Sequence, residues 1–503
     1  MTSERRSYRF GPLERRTLAG PMRTGQVVAI GGSLVLAMVL LQAVPSAAGL
    51  LAGVTAIGLA ALLTTLPLGG RTCEEWAPLA VHYLARVALG RTRFRSPLPG
   101  RGVRAPIVSR SRRRADQTDD PARLPFALPA ELRDVTLTEI DSDGRRLGAL
   151  SERRGKRLTA ALVCRASSFA LLDQEAQERR LAQWGLLLAS LPGTPIRRLQ
   201  WIERTAPARG DELARWLHEA RDPELPPRGA PIVESYLELI GTSARVTQDH
   251  EVLLVLQVDA SRTRGRDTRL ESALADEAQR VAQALELAEI KVLGALSGGQ
   301  LARALRTAYD PYARAELAAL DAVSGRRGTL PEHEAGPLGA REQWDHYRCD
   351  GACHATFWIG GWPRVDVSPM FLDALLGSSA TVRTVAVTFE PVAPERSTRE
   401  VEAAITRDRA DRELRHRFGQ TETARHRQAQ EAAALREAEL AAGHTEVRLS
   451  GFVTVSGRDA TELEWACAVV HQQSARAQIE LHRMYGQQAE AFTFTLPLAR
   501  GLR

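Results

Sequence analysis

The chain has 503 residues, 44% hydrophobic and 25% charged, with a formal net charge of +7, values ordinary for a folded protein of two or three domains. The charge is uneven. Residues 1–114 hold 17 Arg against 4 Glu, so the other 389 carry a net −6, which argues against a nucleic-acid-binding body. Five cysteines scattered along the chain fit a reducing compartment and exclude a disulfide framework.

Residues 1–26 are basic, with Arg5, Arg6, Arg9, Arg15, Arg16 and Arg23. No charged residue lies between Arg23 and Arg71. Two apolar runs, Val27 to Val44 and Ala47 to Leu68, flank Pro45-Ser46. Each is close to the roughly 20 residues that span a bilayer core. Residues 27–68 therefore predict two transmembrane helices. Arginines on both sides place both termini in the cytoplasm, in a multi-pass inner-membrane protein. Residues 69–130 read as a basic juxtamembrane linker, with room for one short strand.

From residue 131 onward the pattern is α+β. RLTAALVCR, IRRLQWIER, HEVLLVLQVD and IKVLGAL read as strands. Between them, DQEAQERRLAQWGLLLASL, PIVESYLELIGTSAR and LESALADEAQRVAQALELA read as helices, the first capped by Asp173. This order predicts a mixed sheet with helices on one side. His250 to Asp259 resembles His444 to Ser456, and Ala288 to Leu305 resembles Ala477 to Phe492, at nearly equal offsets. We expect two related ferredoxin-like α+β modules, 131–325 and 341–503, behind the transmembrane hairpin. The second carries a highly charged helical insertion, 394–443, read as a solvated hairpin or a protein-contact arm.

Leu296-Ser297-Gly298-Gly299-Gln300 invites comparison with an ABC-type ATPase signature. Such a motor also needs a glycine-rich loop with a lysine to cradle phosphates. The two lysines, Lys156 and Lys291, stand in no such loop. The motif therefore reads as a strand-to-helix turn capped by Ser297, and no cofactor is expected. In HYRCDGACH, the four side chains His346, Cys349, Cys353 and His354 are the candidate metal ligands. Their spacing departs from a zinc-finger pattern, and alternation on a strand would send Cys353 and His354 to opposite faces.

A family resemblance follows from the C-terminal half. The series WIGGWPRVDVSPMFLDALL, VRTVAVTFEPVAPERSTREV, the charged helix, HTEVRLSGFVTVSGRDATELEWACAVV and AFTFTLPLARGL resembles the N-terminal, non-motor region of type IV secretion and conjugation ATPases of the CagE/TrbE/VirB family. The two-span arrangement also resembles an actinobacterial family of about this length. A two-span EccE-type component of type VII secretion is a looser likeness. These resemblances imply a non-catalytic inner-membrane component of a secretion or conjugation apparatus. Its implied partners are a membrane, a secretion ATPase and other apparatus subunits, with self-association allowed and no direct nucleic-acid contact. The alternative is a membrane-bound, metal-dependent enzyme using the His346–His354 cluster.

Overall fold

A computed structural model describes residues 24–43, 71–96, 127–207, 248–403 and 424–502, with short undescribed stretches inside them and a few isolated residues elsewhere. The chain opens with helix α1 (Thr24–Ala43) and a two-strand ladder, β1 (Pro67–Leu68) with β2 (Arg71–Thr72), leading into helix α2 (Cys73–Ala88). After β3 (Arg93–Arg95) the first half contains β4 (Thr136–Ser142), β5 (Arg145–Glu152), β6 (Arg157–Arg165), helix α3 (Gln174–Ser190), β7 (Ile196–Pro207), β8 (Gln248–Asp259), helix α4 (Leu270–Leu287) and β9 (Lys291–Ala295). Helices α5 (Gly298–Tyr309) and α6 (Arg314–Ser324) lead to β10 (Gly339–Glu342) and β11 (Tyr347–Cys349). The second half continues with β12 (Ala352–Gly361), helix α7 (Asp373–Leu376), β13 (Val382–Pro391), helix α8 (Ala424–Ala441) and β14 (Val447–Gly457). It closes with helix α9 (Ala460–Arg476), β15 (Glu480–Arg483) and the short helix α10 (Gln488–Phe492).

Among the described residues thirteen strands form one sheet in the order β3-β10-β11-β12-β14-β13-β7-β8-β6-β5-β4, with β15 also paired to β12 and β9 to β6. Its pairings are antiparallel. With the insertion helix α8 and the flanking strands β3–β5, β10 and β11 set aside, the described residues of each half thread strand, helix, strand, strand, helix, strand. Neighbours run β9-β6-β8-β7 in the first and β15-β12-β14-β13 in the second. β8 and β14 thus hold equivalent places, as do β9 and β15.

The expected fold class is corrected on two counts. The halves are not separate ferredoxin-like modules, because β7 pairs with β13 from Thr205–Arg383 to Leu199–Phe389. Two separate modules would each leave a long unpaired edge, and joining the edges satisfies both rows of backbone N–H and C=O groups. In addition, among the described residues no helix is long and apolar enough to cross a membrane. Helix α1 includes Gln26, Gly31, Gly32, Ser33 and Gln42, and most of the second expected span lies outside the described residues. The transmembrane hairpin over 27–68 is therefore not retained, nor is the multi-pass inner-membrane placement that followed from it.

The sheet is covered on both faces rather than one. On the first face Ala160, Leu162, Leu199, Leu254 and Leu256 pack under α3 and α4, through Leu187, Leu274, Val281 and Leu285. Across the seam Ala355, Phe357, Val453 and Val455 pack under α9, whose Leu463, Ala466, Cys467 and Val470 recur at helical spacing. A fully buried Leu or Val here contributes roughly 1.5–3 kcal/mol. The second face packs Ala161, Ile202, Leu253, Val255 and Ala386 against α5, α10 and the final residues Leu496, Leu498 and Ala499. The β7–β13 pairing also fixes where the long connections leave. The β7–β8 connection leaves beside the start of β13 and the β13–β14 connection beside the start of β7, at opposite ends of the sheet.

Candidate functional site

The HYRCDGACH segment forms a hairpin. Tyr347 pairs with His354, Arg348 with Cys353 and Cys349 with Ala352, around a turn in which Asp350 has φ 45°. The Asp350 carboxylate holds this turn, accepting from Gly339 N at 2.8 Å and Leu338 N at 3.1 Å and pairing with Arg306. An Asp-Gly pair between two strand-like runs signals such a hairpin, a cue the sequence reading passed over.

The pairing separates the four candidate ligands. Cys349 faces the core under α5, and Cys353 faces the core under α9. Burial raises both thiols, Cys349 well above the usual range. His346 Nδ1 lies 2.9 Å from Asp345. His354 is fully buried, with Nε2 donating to Tyr309 O at 2.9 Å and Nδ1 accepting from Ser456 Oγ at 2.8 Å. Burial lowers its pKa to about 4, so the ring stays neutral. Among the described residues no group of three or more His, Cys, Asp or Glu side chains could hold a metal ion.

The LSGGQ segment is built as a helix start. Ser297 caps α5, and Gln300 reaches back to the Ser297 N–H at 2.9 Å. The turn is wedged against its neighbours. A Cβ on Gly148 would meet the Ser297 backbone at 2.6 Å, and one on Gly299 would meet Thr329 at 2.8 Å.

The C-terminal segment AFTFTLPLARGL is built into the second face. Gln200 donates to Phe494 O at 2.7 Å and accepts from Ala499 N at 2.8 Å. Gln257 donates to Leu498 O at 3.2 Å, and Thr388 to Arg500 O at 2.8 Å. Leu496 and Leu498 are buried.

Sequence reasoning also missed how α2 docks. Trp76 and Tyr83 pack on Trp344, with Tyr485 beside them. One turn on, Arg86 sits between Glu131 at 2.6 Å and Glu342 at 2.9 Å. Burial outweighs Arg86 and the Ala489 N–H, and pushes the Glu342 carboxyl up to about 7. Beside this cluster a cavity of about 250 Å³ opens between β3, Glu131 and β10. The residue spacing of α2, with Trp76, Tyr83 and Arg86 on one face, was the available signal. Of the charged insertion, residues 394–403 and α8 are described. Ser397 and Val401 are buried, Arg436 meets Glu446 at 2.5 Å, and Glu400 pairs with Arg448. The helix expected over Pro231 to Arg245 lies outside the described residues, apart from residue 235.

Residues 237–359 match the family model described as "Putative type VII ESX secretion system translocon, EccE". The match runs from before β8 into β12, and so takes in strands on both sides of the seam. It overturns the expected likeness to type IV secretion and conjugation ATPases, and supports a component of a secretion system of the type VII kind. No curated protein matches the chain.

Proposed function

We propose that this chain is a non-catalytic structural subunit of a type VII secretion translocon and works by binding other subunits of the apparatus. The observation that carries the reading is the EccE family match over residues 237–359. The chemistry of the candidate sites supports it. The His346–His354 hairpin commits its side chains to packing, and LSGGQ commits Ser297 and Gln300 to a helix cap. The broad sheet offers docking area, and the charged insertion leaves at one end of it.

The test is made in cells that encode the chain. A tagged copy is expected to co-purify, after cross-linking, with other type VII subunits, and deleting the gene is expected to stop export of type VII substrates. Undiminished export in the deletion strain would sink the proposal. So would steady ATP hydrolysis by the purified protein that a point change within it abolishes.

A further inference from the structure

Near the seam, the second face carries a row of polar side chains set directly across from one another. They are Thr356 on β12, Thr454 on β14, Thr384 on β13, Arg204 on β7 and Glu251 on β8. Arg204 is 2% exposed. Its Nη1 reaches Thr307 Oγ1 at 3.2 Å, Ala304 O at 3.3 Å and Glu251 at 3.4 Å, all long for charge-assisted bonds. Its Nε and Nη2, which share the other edge of the planar guanidinium fork, have no partner among the described residues. The buried Arg314 repeats the theme, meeting Asp249 at 3.4 Å and leaving Nη1 unpartnered. Beside Arg204 lies a narrow, partly open space of about 10 Å³, lined also by Thr307, Thr384, Thr454, Ser456 and Thr495.

We propose that this space binds one monatomic anion, a halide such as chloride, on the Nε–Nη2 edge of Arg204. The unpartnered atoms are all donors, so the ligand must accept. A buried guanidinium beside a second one, with both carboxylates at the limit of bonding distance, calls for negative charge. A water would also need acceptors for its own protons. The Thr454 and Thr495 hydroxyls are committed to each other, to Thr356 and to Phe492 O, which leaves Thr384 and Ser456 as the lining hydroxyls open to accept from it. So small a space favours a monatomic ion over sulfate or phosphate.

The full-length protein crystallised from bromide is expected to show an anomalous bromine peak within about 3.5 Å of Arg204 Nε and Nη2. In thermal unfolding at matched ionic strength, chloride about tenfold above its dissociation constant is expected to raise the Tm by roughly 2 °C over sulfate. Arg204→Gln is expected to abolish that difference. Should this variant fail to fold, the bromide map of the unaltered protein decides alone. A water refined on the Arg204 edge with no bromine signal overturns the proposal, as does halide dependence undiminished in Arg204→Gln.

Discussion

The two faces of the sheet are covered by different means, and the difference explains their chemistry. Under α3, α4 and α9 the first face is mainly apolar, built of Ala, Leu, Val, Ile and Phe with buried cysteines; its large buried polar side chain, Arg383, answers the irregular Gly377 O at 2.6 Å and Gln473 on α9. Under α5, α10 and the C-terminal segment, the second face also buries Thr159, Gln200, Arg204, Gln257, His354, Thr356, Thr454 and Gln488. A helix satisfies its own backbone, so the strands beneath it need supply only carbon. An irregular segment brings bare N–H and C=O groups into the interior, and the strands must answer them. Gln200 and Gln257 do so for Phe494, Leu498 and Ala499.

The sharpest way to break this contrast is Phe492→Ala. Phe492 is 2% exposed and its ring meets Tyr309, Tyr347 and His354 at centroid distances of 5.1, 5.6 and 4.8 Å. We expect a loss of about 3–5 kcal/mol in denaturant unfolding. We also expect faster hydrogen exchange at the Ala499 N–H, because the segment loses its anchor. Leu187→Ala on the first face is expected to cost a comparable amount while leaving that amide protected. Equal exchange in both variants would show the faces to be interchangeable.

Acid sharpens the contrast next. His354, on the second face, is held neutral by burial, with its pKa lowered to about 4 against about 6.5 for a free histidine. The unfolded chain therefore takes up the proton first. Stability is complete above about pH 6.5 and falls by roughly 3 kcal/mol as pH drops through 4. His354→Gln is expected to flatten that limb of the stability curve. Glu342, pushed up to about 7, has the opposite sign: its protonated form is favoured in the fold, so stability falls as pH rises toward 7. Glu342→Gln is expected to remove that slope. Curves unchanged in both variants would refute these assignments.

The smallest effect is expected at the helix start. Ser297→Ala removes one cap from α5 and is expected to cost about 1 kcal/mol in thermal unfolding, with no change in fold. A loss several times larger would mean that LSGGQ does more than begin a helix.

Local pattern determined much of this protein. Apolar strand-like runs marked β6 and β8, helical spacing marked α3 and α4, and Asp173 and Ser297 marked two helix starts, because each signal rests on neighbours within a few residues. The likeness of β8 to β14 and of β9 to β15 was also legible, since equivalent places in a sheet ask for the same alternation. Tertiary structure alone decided the rest. Nothing local to β7 or β13 says that their edges pair with each other. The burial of Leu496 and Leu498 and the convergence of Arg204 with Thr384 and Thr454 follow from that pairing or from chain returning over it. These contacts join residues far apart in sequence, and their free energy comes from satisfying groups that a linear reading leaves unassigned.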